Sequence, residues 1–393
     1  MEPIKLLFAG DFCIRHSGVE HMTPEEIPEL ANEVREMNSK YDISVVNVET
    51  VFTDNPTPTK KSGPNISSAM AALELLDAYK FTVGAFANNH VMDQGYEAGR
   101  KSYEDVKKRG MACIGFGKNL EEAYVPYRTT VKGKKISIFN FAEHEFVSAT
   151  EFSPGFAPID FIKNAKLIRE EKKTADYVIV YLHSGSEHCP YPRVGEMEYT
   201  HAIADEGADA IIISHPHCPQ GYEYYNGVPI VYSLGNFFMA KRLVGNAEET
   251  TWNIGYMADL EITDDKITVT PVPYEFGCDC SWFKFLEGEK KEKFLQYIEK
   301  LSKVITDTPK EEYENLKHAW TVTFIKEAKE GYLDLFINDK AYFQDLLYFI
   351  RNCFSCETHA EVFLDYYTLL TENRLDDYDK YVEILRELQK RPM

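Results

Sequence analysis

Two histidines two residues apart, His215 and His217, follow directly on the apolar run from Ala208 to Ile213. That run has the length and β-branched content of a buried parallel strand. If the chain is still extended beyond Ser214, both imidazoles point to one side. Pro216 keeps His215 out of helical geometry and favours that arrangement. A pair of neutral imidazoles at a strand end can bind a divalent metal; the alternative is two unrelated polar residues opening a loop. The wider pattern favours the metal. Asp11, Glu49, Asn89, His90 and His183 also end, or directly follow, a strand-like run. Singly, each has an ordinary explanation as a turn cap or a solvated loop residue. Ligand sites in open α/β sheets lie at the carboxyl ends of strands, so five strand ends would gather these groups on one edge.

The donor set mixes carboxylate, amide oxygen and imidazole, and it is too large for one tetrahedral zinc. It suits two adjacent divalent ions, roughly 3.5–4 Å apart, with a bridging carboxylate or water. Manganese, zinc, iron and magnesium all remain open. Such a pair acidifies a bound water and clamps a phosphoryl oxygen, so the fitting chemistry is hydroxide attack on a phosphorus ester. His90, beside Asn89, is the natural candidate to protonate the leaving oxygen. No serine or cysteine sits in a nucleophile motif.

The strands that carry these groups end at Gly10-Asp11, Asn47-Val48-Glu49, Asn88-Asn89-His90, His183 and, before His215, Ile213; a further strand ends near Glu143-His144. Helices are expected between them. Thr23, Pro24 and Glu26 form a capping box opening a helix to about Asn38. Others cover about Ser67–Tyr79, Tyr96–Arg109, Asp160–Thr174 and Glu196–Glu206. Residues Ile254–Ile262 and Ile267–Tyr274, with Asp264-Asp265 between them, read as a hairpin. After Cys280 strand patterns vanish and five segments with helical spacing follow. The expected division is an α/β domain over 1–278 and a helical region over 279–393.

The chain has 393 residues and a formal net charge of −20, from 63 acidic and 43 basic side chains. A general nucleic-acid or anionic-membrane binder needs a positive field, so both classes are excluded as expectations. An anionic substrate is not, because bound cations invert the local field. Lys5 and Asp11 break the first apolar run, and no stretch reaches the ~18–20 apolar residues of a membrane span. The expectation is a cytoplasmic protein. Its eight cysteines are scattered and suit reduced thiols. A zinc site from Cys278, Cys280, Cys353 and Cys356 is weakly signalled by its mismatched spacing.

The motifs Gly10-Asp11, Asn47-Val48-Glu49, Ala87-Asn88-Asn89-His90 with Asp93 and Gly95, Gly115-x-Gly117-x-Asn119-Leu120-x-Glu122-Ala123, His183-x-Gly185-x-Glu187, His215-Pro216-His217 and Tyr232-Ser-Leu-Gly-Asn-Phe237 stand in one order. In that order and spacing the chain, over about residues 4–275, resembles the bacterial capsule-synthesis CapA family. This family includes the PgsA-type proteins of poly-γ-glutamate production and belongs to the calcineurin-like metallophosphoesterase superfamily.

The resemblance implies a four-layer α/β/β/α metallophosphatase-like sandwich, here with a helical C-terminal appendage. It implies metal positions at Asp11, Glu49, Asn89, His183, His215 and His217, with Asn47 near, and a catalytic role for His90. Glu187 and Asn236 would line the pocket, and Lys60 and Lys61 would meet an anionic substrate unless they are simply solvated. Cys13 stands where the superfamily usually has a histidine, and Ser184 and His188 replace the usual Trp and Tyr. The function so implied is a dinuclear-metal phosphoesterase acting on a phosphorylated or polymeric anion of capsule production. The alternative is a non-catalytic assembly protein that holds a polyanion or a synthase partner.

Overall fold

A computed structural model describes residues 2–14, 26–240, 250–328 and 343–392. Strands built from alternating apolar residues dictate two sheets with a core on each face. In β1 (Ile4–Cys13), Ile4, Leu6 and Phe8 point one way and Leu7 and Ala9 the other. Every residue of β2 (Ile43–Val48) is buried. β3 (Val83–Ala85) and β4 (Ala112–Ile114) complete that parallel side. On the other side of β1 lie β14 (Ile254–Ile262), β15 (Ile267–Phe276) and β16 (Phe283–Phe285), all antiparallel. β13 (Asn236–Met239) pairs in parallel with the end of β1.

The second sheet runs β11 (Tyr222–Tyr225), β12 (Val228–Val231), β10 (Ala210–Ser214), β9 (Tyr177–His183), β7 (Lys134–Ala142), β6 (Tyr127–Val131). Ile179, Tyr181, Ala210 and Ile212 share a core with Leu6, Phe8, Ile43 and Val45. The two sheets therefore pack face to face, and the Tyr181 hydroxyl donates across the gap to the Ala9 carbonyl at 2.7 Å. A small pair, β5 (Phe116–Gly117) and β8 (Gly155–Phe156), lies apart.

Helices cover the outer faces: α1 (Glu26–Leu30), α2 (Asn32–Asn38), α3 (Met70–Tyr79) and α4 (Tyr96–Lys108) by the first sheet, the short α5 (Leu120–Ala123), then α6 (Phe161–Lys172) and α7 (Val194–Asp205) on the second. The result is the α/β/β/α sandwich that the resemblance implies. The expected cap at Thr23 lies outside the described residues. The helix it was to open is interrupted at Ala31, three residues after Pro28, which lacks a backbone donor.

Five helices follow: α8 (Gly288–Asp307), α9 (Lys310–Ala328), α10 (Phe343–Ser355), α11 (Glu357–Thr371) and α12 (Asp379–Leu388). β16 lies beyond residue 278 and still belongs to the main sheet; three residues are too few to show a period. Among its described residues the helical region has a small cluster of its own, Ala319, Leu369 and Tyr378, and otherwise packs on the main core. Phe294, Ile298, Leu301, Leu316, Trp320 and Leu385 join the inter-sheet core with Tyr256 and Tyr191.

Candidate metal centre

Strand register brings the prospective ligands together. Asp11 sits opposite Asn47 in β2 and Asn236 in β13, with a slip in the ladder at Gly10. A Cβ at Gly10 would lie 1.9 Å from the Gly235 carbonyl oxygen, so only glycine lets these backbones meet. In the second sheet His183 stands opposite Ser214 on one side and Ala142 on the other. The five strand ends thus come from two facing sheets, three from one and two from the other. A single open edge, as expected from the sequence, is not what gathers them.

Asp11 is fully buried. It accepts from Asn47 Nδ2 at 2.7 Å and from the His215 amide at 3.2 Å. Burial pushes its carboxyl up, but His217, Asn47 and Ser214 outweigh burial and hold it below the usual range. Asn89 Oδ1 lies 3.0 Å from His183 Nε2, while its amide donates to Glu145 Oε2 at 2.6 Å. His183 Nδ1 faces the Asn47 amide at 3.1 Å.

Glu49 is the odd member. Neither carboxylate oxygen has a hydrogen-bond partner, and the residue is wholly buried. Three imidazole nitrogens face its Oε1: His183 Nε2 at 3.5 Å, His90 Nε2 at 3.8 Å and His217 Nε2 at 3.9 Å. Burial, then the Asp11 charge, drives its pKa well up. An uncompensated buried carboxylate costs several kcal/mol. Burial disfavours a charge on His217, yet Glu49 and Asp11 raise its pKa to about 10. A proton thus serves where the site asks for a cation. The ligand atoms of Asp11, Glu49 and His183 lie within 4.8 Å of one another, as do those of Glu49, His215 and His217. Glu49 belongs to both sets, and this mix of carboxylate and imidazole donors is chemically suited to divalent metal.

His215 and His217 do not continue the strand. β10 ends at Ser214, and both residues have left-handed backbones, φ 110° and 54°. Such conformations cost about 1–3 kcal/mol each and persist only where surroundings impose them. Here the His188 amide donates to the Pro216 carbonyl at 2.7 Å, and Asn236 Oδ1 holds His217 Nδ1 at 2.8 Å. The rings still converge: His215 lies 4.5 Å from the His183 ring and 5.9 Å from that of His217.

His90 projects from a turn in which its amide donates to Asn88 Oδ1 and Asn88 Nδ2 donates to the Val48 carbonyl. Its Nδ1 contacts Asp93 Oδ2 at 2.6 Å, leaving Nε2 toward Glu49. Burial lowers its pKa and Asp93 opposes that. Lys61 pairs with the other Asp93 oxygen and lies 3.3 Å from His90 Nδ1. Asn47 and Asn236 are buried and hydrogen-bond to prospective ligands, Asn47 to Asp11 and His183 and Asn236 to His217. Glu187 is exposed at the rim.

Four participants escaped the sequence reading. Asp93 lay within the Asn89-His90 motif, at the i+3 spacing that lets it orient His90. Glu143 and Glu145 follow β7, one more strand end. Arg193 gave no signal. Cys13 is buried beside Ile66 and Met239. The suggested zinc cysteines are not assembled: Cys280 lies in the aromatic core, and Cys356 Sγ donates to Glu143 at 3.2 Å.

The family described as bacterial capsule synthesis protein PGA_cap matches residues 5–241. The chain belongs to that family. The match encloses every prospective ligand of this PGA_cap member and stops before its helical region. The PGA biosynthesis protein CapA of Bacillus subtilis is 34% identical over 170 residues, 42% of this chain and 44% of that protein. The capsule biosynthesis protein CapA of Bacillus anthracis is 32% identical over 164 residues, 40% of each chain. The chain thus spans less than half the length of these curated relatives. Among solved structures, 5'-nucleotidase from Candida albicans aligns with a TM-score of 0.43 at 11% identity, covering 71% of this chain and 53% of that one, a likeness too distant to carry an argument.

Proposed function

We propose that this PGA_cap member is a metal-dependent phosphoesterase acting on an anionic substrate of capsule or exopolymer production. The observation that carries the reading is Glu49, a buried carboxylate without a hydrogen bond inside a ring of imidazoles. Asp11, Glu49, Asn89, His183, His215 and His217 would hold two divalent ions. Bound there, such ions supply a nucleophilic hydroxide at neutral pH and stabilise charge on a phosphoryl oxygen. Asp11 keeps its charge in the buried site because Asn47 and the His215 amide hydrogen-bond it. Asp93 fixes the His90 ring through Nδ1, so that Nε2 is the atom that hands a proton to the leaving oxygen. Lys61 neutralises Asp93 and sets the tilt of that pair.

The test is metal analysis of the purified chain together with a phosphomonoester and phosphodiester panel in manganese. About two ions per chain and turnover that falls with His90→Ala are expected. A chain that takes up no divalent metal refutes the reading.

A second reading, a non-catalytic polyanion-holding or synthase-docking protein, draws support from Cys13 standing where the superfamily usually has a histidine. It predicts metal uptake without turnover of any ester. No helix among the described residues is long and apolar enough to cross a membrane.

A further inference from the structure

Beside the His90–Asp93 pair, a cavity of about 80 Å³ opens between the loop Thr59–Ser62 and α10. A space of that size has room for a small oxyanion group. We propose that this cavity is a subsite for a second anionic group of the substrate, a phosphate or carboxylate, bound jointly by the α/β core and the helical region. The proposal rests on the phosphoesterase reading for the position of the first phosphate.

Charge is the first argument. Lys60, Lys61 and Arg351 line the cavity in a chain of net charge −20. Lys61 is already committed: it pairs with Asp93 and lies 4.1 Å from the centre of the Phe146 ring. Among the described residues, the exposed side chains of Lys60 and Arg351 form no ion pair and no hydrogen bond. Two exposed cations from different parts of the chain, without an ion pair among the described residues, thus border one small space.

Unmet hydrogen bonding is the second argument. Ser62 Oγ and Asn352 Oδ1 are buried, line the same cavity and have no partner. Buried polar atoms are almost always satisfied, so such atoms ask for a ligand or water. The Ser62 hydroxyl suits an oxyanion, and Asn352 Oδ1 suits a hydroxyl or N–H beside it. Position is the third argument. Asp93 forms part of the cavity wall and holds His90 Nδ1 at 2.6 Å, so an anion here sits directly behind the group assigned to the leaving oxygen.

The test compares substrates that differ by one anionic group. Fructose 6-phosphate is set against fructose 1,6-bisphosphate, and glycerol 3-phosphate against 3-phosphoglycerate, with the full chain in manganese. The wild type should show a KM at least tenfold lower for one or both two-anion partners, and the pair that responds tells phosphate from carboxylate. In the Lys60→Ala/Arg351→Ala variant that KM ratio should fall toward one, and the charge-keeping Lys60→Arg/Arg351→Lys variant should restore much of it. A ratio unchanged by the alanine variant overturns the subsite and leaves the phosphoesterase reading standing. If no ester turns over, titration calorimetry with the same compounds decides. Tighter binding of two-anion compounds to wild type than to the variant sustains the subsite alone; equal affinity removes it.

Discussion

Arg193→Met should loosen α11 from the core. Arg193 is buried and donates from Nη2 to Glu143 Oε1 and from Nη1 to Glu361 Oε2 in α11, each at 2.6 Å. Glu143 also accepts from Ser184 Oγ, the Gly185 amide, and the Thr358 amide and hydroxyl, at 2.8–3.0 Å. One carboxylate therefore ties β7, the loop after β9, and α11. Methionine keeps the packed stem of the arginine and deletes its charge. Breaking a buried ion pair from one side costs about 3–5 kcal/mol. At 1.4 kcal/mol per tenfold, that is roughly two to three and a half decades in the opening equilibrium of α11. Hydrogen exchange read by mass spectrometry gives the result directly: protection in Glu357–Thr371 should fall by that factor, with β1 and β9 less affected. Acid provides a second check. Burial pushes the Glu143 carboxyl up, but Arg193, His215 and the hydroxyl donors outweigh it and hold it far below the ordinary carboxylate range. A depressed carboxyl stabilises the fold above its unfolded pKa, and this is lost as pH falls through the folded value. Wild type should lose stability as pH drops below about 4.5, and the variant should show a smaller loss. Unchanged protection of α11 in the variant would refute the idea that this network docks that helix.

Glu49→Gln should lower bound metal to below half of wild type, while the metal-free variant melts no lower than metal-free wild type because burial and the Asp11 charge already favour the neutral form there; thermal melts with and without chelator check both signs. His90→Ala should reduce phosphoester turnover by about 10²–10⁴ with metal content unchanged, and Asp93→Asn should fall between it and wild type. Burial, with Glu143 adding to it against Arg193, raises the Glu196 pKa to about 7. A raised carboxyl favours folding below its unfolded pKa, and that advantage is lost as pH rises through the folded one. Stability should therefore decline between about pH 4.5 and 7 by up to about 3 kcal/mol. Denaturant midpoints across that range should show the slope in wild type and lose it in Glu196→Gln.

Much of the fold was legible because periodicity is a local property. The strands ending at Asp11, Glu49 and His183 were visible from their buried runs, and the five late helices from their charged faces. Which strands share a sheet was not legible, because pairing between residues such as Asp11 and Asn236 depends on contacts over 200 positions apart. The left-handed turns at His215 and His217 were missed for a related reason. Histidine has no local preference strong enough to announce them, and they are imposed by His188 and Asn236 from outside. Glu143 was visible only as the end of a strand and Arg193 not at all, because a buried ion pair leaves no pattern in either segment.

The attachment of α11 to Glu143 has a consequence for synthesis. About 75 residues separate the last strand of the main sheet from Glu361. At ~5–20 residues per second, some 4–15 s pass between completion of the sheets and arrival of the groups that satisfy Glu143 and Arg193. During that interval a charged pocket beside the prospective metal site stands open to water and to other chains. A nascent chain of this protein is therefore most exposed to capture, by a folding helper or by a stray metal, in a window fixed by the length of its own helical region.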